Sequence, residues 1–257
     1  MTIGPRMASL VEQRLVGVLR WLIWPIIAFN VSACAALPDL DALTVKHGIA
    51  EPYQTVPIIT ATDRRRDTTG IGYTAERSSR LRFERFTVAP SRSIIGSGNE
   101  NSDALSESIE KYIVTKREDI KLRDIHSSKD ILIYVHGYNY SFEESLFQFA
   151  RIVTEGGLTE VPILFSWPSE GAITGYVADK EAAVYARDDL VDLLSGLKKQ
   201  NPKSHVTLFG HSMGAWIVVE SLRQLKLSKR NDVLRWMGRV VLAAPDIDID
   251  LFKRQIE

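Results

Sequence analysis

The sequence predicts an α/β fold, a mostly parallel sheet with helices on both faces. Two observations carry that expectation. From Asp130 onward, strand-length apolar runs alternate with helix-patterned segments in three consecutive units. The strands of those units are apolar nearly throughout, as strands covered on both faces must be.

Each element has its own signal. Residues 1–33 read as a leader: Arg6, Arg14 and Arg20 precede "WLIWPIIAFNVSAC", an apolar run too short for a comfortable membrane span. Residues 34–54, interrupted by Pro38 and Pro52, read as a tether, and residues 55–257 as the main domain. "VPIITAT" (Val56 to Thr62) is a β-branched strand, followed by a charged loop at "DRRRD". "RLRFERFTVAP" (Arg80 to Pro90) alternates as a half-exposed strand does, and the Ser-, Gly- and Asn-rich residues 91–106 read as loop. "DILIYVHG" is a buried strand. In "SFEESLFQFARIVTEGG", Phe142, Leu146, Phe149 and Ile152 share a helical face, and Gly156-Gly157 stop the helix. "VPILFSW" is the next strand and "YVADKEAAVYARDDLVDLLSGLKKQN" a long amphipathic helix. "HVTLFG", "SMGAWIVVESLRQLKL" and "RVVLAAPD" complete the series as strand, helix and strand. The charges of the long helix, Asp179 to Asp189, read as a solvated face with no chemistry.

Composition narrows the partners. Lys+Arg and Asp+Glu both number 32, so nothing recommends nucleic acid. No metal or cofactor motif is present. The one cysteine, Cys34, excludes an internal disulfide.

Val31-Ser32-Ala33 immediately before Cys34 resembles the lipobox of bacterial lipoproteins. The resemblance implies cleavage before Cys34, a diacylglycerol on its thiol, and attachment to a membrane of the bacterial cell envelope. The periplasmic side is expected, and Ala35 is compatible with outer-membrane sorting. An uncleaved anchor and a lone buried cysteine are the alternatives.

"VTLFGHSMGAW" raises the central chemical question. Gly210-His211-Ser212-Met213-Gly214 lies between a strand and a helix, the setting of a nucleophile elbow. A serine there stands on a strained turn, and Gly210 and Gly214 let strand and helix approach. The backbone N–H of Met213 would face an oxyanion at the positive end of the helix. His136-Gly137-Tyr138-Asn139 ends an earlier strand, where the Tyr138 N–H is the candidate second donor. Gly137 permits the bend, and His136 reads as scaffold rather than base. Ser166-Trp167-Pro168-Ser169 either lines a substrate pocket or, through Trp167, plugs the core.

"VHGYNYSFEES", "FSWPSEG", "LFGHSMGAW" and "LAAPDIDIDLF", in this order, resemble a bacterial α/β-hydrolase family, domain of unknown function 900, grouped with esterases and lipases. "ITATDRRR" and "ERSSRLRFERFTV" are similar to that family's first strands. The resemblance implies a serine hydrolase that cleaves a small-molecule or lipid ester through a Ser212 acyl-enzyme. In this fold the acid and the histidine follow the serine. The 45 residues after Ser212 contain no histidine. The chain is therefore expected to be truncated at its C-terminus, to lack the last strands, and to be nearly inactive by itself. Asp246 is a candidate acid, and either it or Asp248 is alternatively a helix cap. His47, His126 and His205 are poorly placed as bases, and His211 is too close to Ser212 to reach its hydroxyl. The competing expectation is a membrane-tethered, non-catalytic binding module with the remains of a hydrolase site. A third is that the shortened sheet, ending on an unpaired edge, is unstable alone.

Overall fold

The computed structural model of the chain describes residues 42–46, 55–91, 111–171 and 173–256. The leader, Cys34, and most of the expected tether and of the 91–106 loop lie outside those residues.

Seven strands form one sheet: β1 (Val56–Arg66), β2 (Tyr73–Ser91), β3 (Lys111–Ile120), β4 (Ile131–Val135), β5 (Val161–Ser166), β6 (Val206–His211) and β7 (Met237–Ala243). Their spatial order is β3-β2-β1-β5-β4-β6-β7. β1, β5, β4, β6 and β7 run parallel, while β2 and β3 add an antiparallel meander on the β1 side. This is the mostly parallel α/β sheet that the sequence predicts.

Side-chain alternation along the strands sorts the core into two halves. Ile131, Ile133 and Val135 of β4 face one side with Ile163, Phe165 and Leu208. There they meet α2 (Tyr176–Gln200) and α3 (Met213–Leu227) through Ala183, Ala186, Leu190, Leu194, Ile217 and Val218. Leu132, Tyr134 and Leu164 face the other side against α1 (Phe142–Glu155), which presents Phe142, Leu146, Phe149 and Val153. These four are buried at helical spacing, and each contributes roughly 1.5–3 kcal/mol relative to exposure. Ser141 starts α1 with a capping box. Its hydroxyl accepts from the Glu144 N–H, and Glu144 Oε2 accepts from the Ser141 N–H at 2.8 Å. A short α4 (Asn231–Leu234) leads into β7, and α5 (Ile249–Ile256) follows it.

The fold departs from expectation in four places. β1 continues to Arg66, so "DRRR" is strand rather than loop, running four residues past its last β5 partner pair, Thr62↔Ser166. β2 is longer than expected, starting at Tyr73. β3 has no counterpart among the expected elements. Within the segment read as tether, Leu43 is buried beside the sheet and the Lys46 N–H donates to Val114 O at 2.9 Å.

Candidate active site

All five parallel strands end at the same edge of the sheet, and the loops after β4, β5, β6 and β7 gather there. Ser212 is the single residue between β6 and α3. Its backbone has φ 51° and ψ −121°, a left-handed conformation that costs a side-chain-bearing residue about 1–3 kcal/mol. Neighbours hold it there. The Ser212 N–H donates to Ala243 O at 2.9 Å, while Ser212 O accepts from the N–H groups of Ala215 (3.0 Å) and Asp246 (3.2 Å). The flanking glycines are dictated by close approach. A Cβ on Gly210 would lie 2.6 Å from Ala215 Cα, and one on Gly214 would overlap the carbonyl oxygens of Val135 and His136. Met213 opens α3, so its N–H has no acceptor within the helix.

Gly137 brings the loop after β4 onto this turn. A Cβ there would sit 3.1 Å from Ser212 Cβ and 2.9 Å from His211 Nδ1. His136, Gly137, Tyr138, Gly210, His211, Ser212, Met213 and Gly214 thus come from two strand ends that meet. The Tyr138 ring packs edge-on against Tyr176, centroids 5.4 Å apart. Tyr176 Oη donates to Asp246 Oδ2 at 2.7 Å, and Lys180 Nζ lies 4.0 Å from the same oxygen. Asp246 is therefore beside the serine through its backbone, with its carboxylate turned to Tyr176 and Lys180. Asp248 caps α5, its Oδ1 accepting from the Asp250 and Leu251 N–H groups.

The described histidines divide into two pairs. His136 is fully buried, stacked on Trp167 with ring centroids 5.1 Å apart. Its Nδ1 lies 2.9 Å from Gly137 O and its Nε2 3.1 Å from Trp167 O, while Trp167 Nε1 donates to His136 O at 2.8 Å. Burial, with the nearby Arg64 charge, pulls the His136 pKa down to about 3, so the ring is neutral at every physiological pH. Trp167 is itself fully buried and serves as a core plug. His211 is half-buried, and desolvation lowers its pKa; its Nδ1 is enclosed against Gly137 with no hydrogen-bond partner. His126 and His205 are exposed at the opposite end of the sheet. The His205 N–H donates to Asp130 Oδ1 ahead of β4, and β6 separates it from Ser212 by about 20 Å of extended chain. His47 lies outside the described residues. A cleft lined by Pro57, Ile59, Ile125, His126 and Pro162 opens at that far end, away from Ser212.

Two charged residues of the site escaped sequence reasoning. Arg64, in the segment read as loop, is 2% exposed. Its Nε donates to Ser166 Oγ at 3.3 Å, its Nη1 to Ser169 O at 3.0 Å and its Nη2 to Tyr140 O at 2.7 Å. Burial lowers its pKa to about 10, still charged at neutral pH, with Asp63, Glu143 and Asp179 opposing the shift. Asp179, assigned to a solvated face, is instead fully buried: it accepts from Ser169 Oγ and, at 2.7 Å, from the Glu170 N–H. A β-branched run entering a charge cluster was the only signal for Arg64.

Among the described residues no group of three or more His, Cys, Asp or Glu side chains is placed to hold a metal ion, and no helix is long and apolar enough to cross a membrane.

Comparison with known proteins places these observations in a family. The model of an α/β hydrolase family of unknown function, DUF900, matches residues 115–257. An uncharacterized protein of Nostoc sp. (alr1448) is 27% identical over 122 residues, covering 38% of this chain and 32% of the relative. The match thus takes in about a third of that relative's length.

Proposed function

The chain belongs to the DUF900 family of α/β hydrolases, and from that premise we propose that it is a serine hydrolase of esterase or lipase type with Ser212 as its nucleophile. The observation that carries the reading is the backbone of Ser212, at φ 51° between a parallel strand and a helix. A strained serine at that junction raises its hydroxyl clear of the chain and directs the helix N-terminus at whatever bonds to it. Ser212 Oγ attacks the carbonyl of an acyl ester. The N–H groups of Met213 and Tyr138 receive the oxyanion, the alcohol leaves, and water releases the acyl group. The substrate is a small-molecule or lipid ester, and Cys34 carries the lipid that holds the protein at a cell-envelope membrane.

Taking the proton from Ser212 needs a base. His136 is neutral and occupied in the core, and His126 and His205 lie at the wrong end of the sheet. Asp246 makes no hydrogen bond or ion pair to a histidine among the described residues. On the described residues alone, ester turnover is therefore expected to be slow, near the level that an oxyanion site and binding sustain without a complete triad. The same shortage favours a second reading, a binding module that retains acyl ligands without cleaving them.

Fluorophosphonate labelling separates the two. Prolonged exposure of the folded chain should give slow labelling that Ser212→Ala abolishes. Absent or Ser212-independent labelling, with ester binding retained, would favour the binding module.

A further inference from the structure

We propose that Arg64 is a positioning residue of this site: its buried guanidinium ties the loop after β4 to the loop after β5 and so fixes the Tyr138 amide relative to Ser212. The inference rests on the proposed serine chemistry for its consequence, though not for its geometry.

Arg64 does not approach Ser212; it acts through backbone. Its three donor nitrogens each reach a different segment: Ser166 at the end of β5, Ser169 in the loop beyond it, and Tyr140 in the loop beyond β4. Only a planar, forked side chain can make these three contacts together, because a lysine ammonium is a single point on a flexible stem. The far side of the same loop pair is closed by Asp179. The Tyr140 N–H donates to Ser169 Oγ at 3.3 Å, Ser169 Oγ in turn donates to Asp179, and Asp179 also holds the Glu170 N–H. Ser169 is thus clamped between a buried cation and a buried anion, and Tyr140 is held through both its N–H and its carbonyl.

Tyr140 is two residues from Tyr138, and the intervening Asn139 has φ 63°. In so tight a bend, anchoring Tyr140 leaves the Tyr138 peptide little freedom. Gly137, on the other side of it, is already pressed against Ser212 and His211. Burying a guanidinium with no carboxylate in direct contact is unfavourable, and core packing alone would be served better by an apolar side chain. A fixed oxyanion loop gives that charge a use, since an error of about 1 Å in such a donor can slow acyl transfer roughly 100-fold.

The test reads the oxyanion donors separately from the general base. In a chain carrying Cys34→Ser and Ser212→Cys, the introduced thiol is the only one. Acylation by p-nitrophenyl acetate forms a thioester and expels p-nitrophenolate through a tetrahedral oxyanion. Alkylation by iodoacetamide expels iodide from saturated carbon and forms no oxyanion. Arg64→Met should lower the acylation rate roughly 10- to 100-fold while alkylation stays within about twofold. Arg64→Lys should recover part of the loss. Ser169→Ala, which removes one hydroxyl and leaves the core intact, should lower acylation alone by several-fold. Amide hydrogen exchange at 137–140 should quicken in the Arg64 and Ser169 variants, with β4 and β6 unchanged. Equal changes in both rates, or no change in either, together with unaltered loop exchange, would overturn the proposal. If the parent thiol is acylated no faster than a cysteine peptide, the serine-hydrolase reading fails instead, and loop exchange still decides whether Arg64 holds the loop.

Discussion

Ser212 carries a side chain where the backbone asks for none. Its φ of 51° and ψ of −121° are held from outside, by Ala243 O, by the N–H groups of Ala215 and Asp246, and by the glycine contacts on either side. Replacement by glycine removes the steric penalty and keeps the turn. Ser212→Gly should therefore raise stability by about 1 kcal/mol after allowing for the greater freedom of glycine in the unfolded chain, read as a higher urea midpoint at constant slope. An unchanged or lower midpoint would show that the turn stores no strain. His136 illustrates the opposite economy at the same edge of the sheet. Both ring nitrogens face carbonyl oxygens and its face stacks on Trp167, so a residue type often read as catalytic is here part of the wall.

At the scale of elements, β1 and α2 meet through an acidic pair. Asp63 is fully buried, and neither of its oxygens has a well-formed hydrogen bond. The group facing it is the Asp189 carboxyl, so only a shared proton lets the two bond. Burial first, then Asp189, raise the Asp63 pKa to about 7, with Arg64 opposing; burial also raises Asp189, beside Asp192 and Asp188. Between about pH 4, where the unfolded group ionises, and about 7, the folded protein keeps a proton the unfolded chain has lost. Stability from this pair is thus full below pH 4, falls as pH rises across that window, and is flat above it. Asp63→Asn should be neutral at pH 4 and stabilising at pH 8, on the order of a few kcal/mol, seen as a gap in melting temperature that opens with pH. A constant gap would refute the pairing. The same elements show what was legible in the sequence. The buried parallel strands and their helices announced themselves by uniform apolarity or by a capping box, because their environment is the same along their length. β3 and the end of β1 did not, because their charges find partners only once distant strands pair. Arg117 meets Glu84, Arg85 meets Glu118, and Arg64 meets carbonyls 76 and 105 residues further on. The elbow was readable from five consecutive residues; Arg64 and Asp179, which hold the loops after β4 and β5, lie more than a hundred residues apart.

For the whole molecule, charge balance and the sheet edge act together. Formal net charge is zero and the isoelectric point is near 7, so long-range repulsion between copies is weakest at neutral pH. Among the described residues β7 pairs on one side only, and it exposes Val240 and Val241. An apolar strand edge under those conditions favours self-association. Light scattering should show the mean mass rising with concentration at pH 7 and less so at pH 9. Val241→Lys should suppress the rise at both values, and its failure to do so would place the contact elsewhere. The candidate-site edge carries a different long-term property. The Arg64 nitrogens that reach the two loops bond to the carbonyl oxygens of Tyr140 and Ser169, atoms that every amino acid supplies. The side chains displayed at this edge, Tyr138 and Tyr176 among them, can therefore drift over generations while the scaffold beneath them is inherited unchanged. A lineage built this way can change what its sheet edge presents without having to rebuild the frame that holds it.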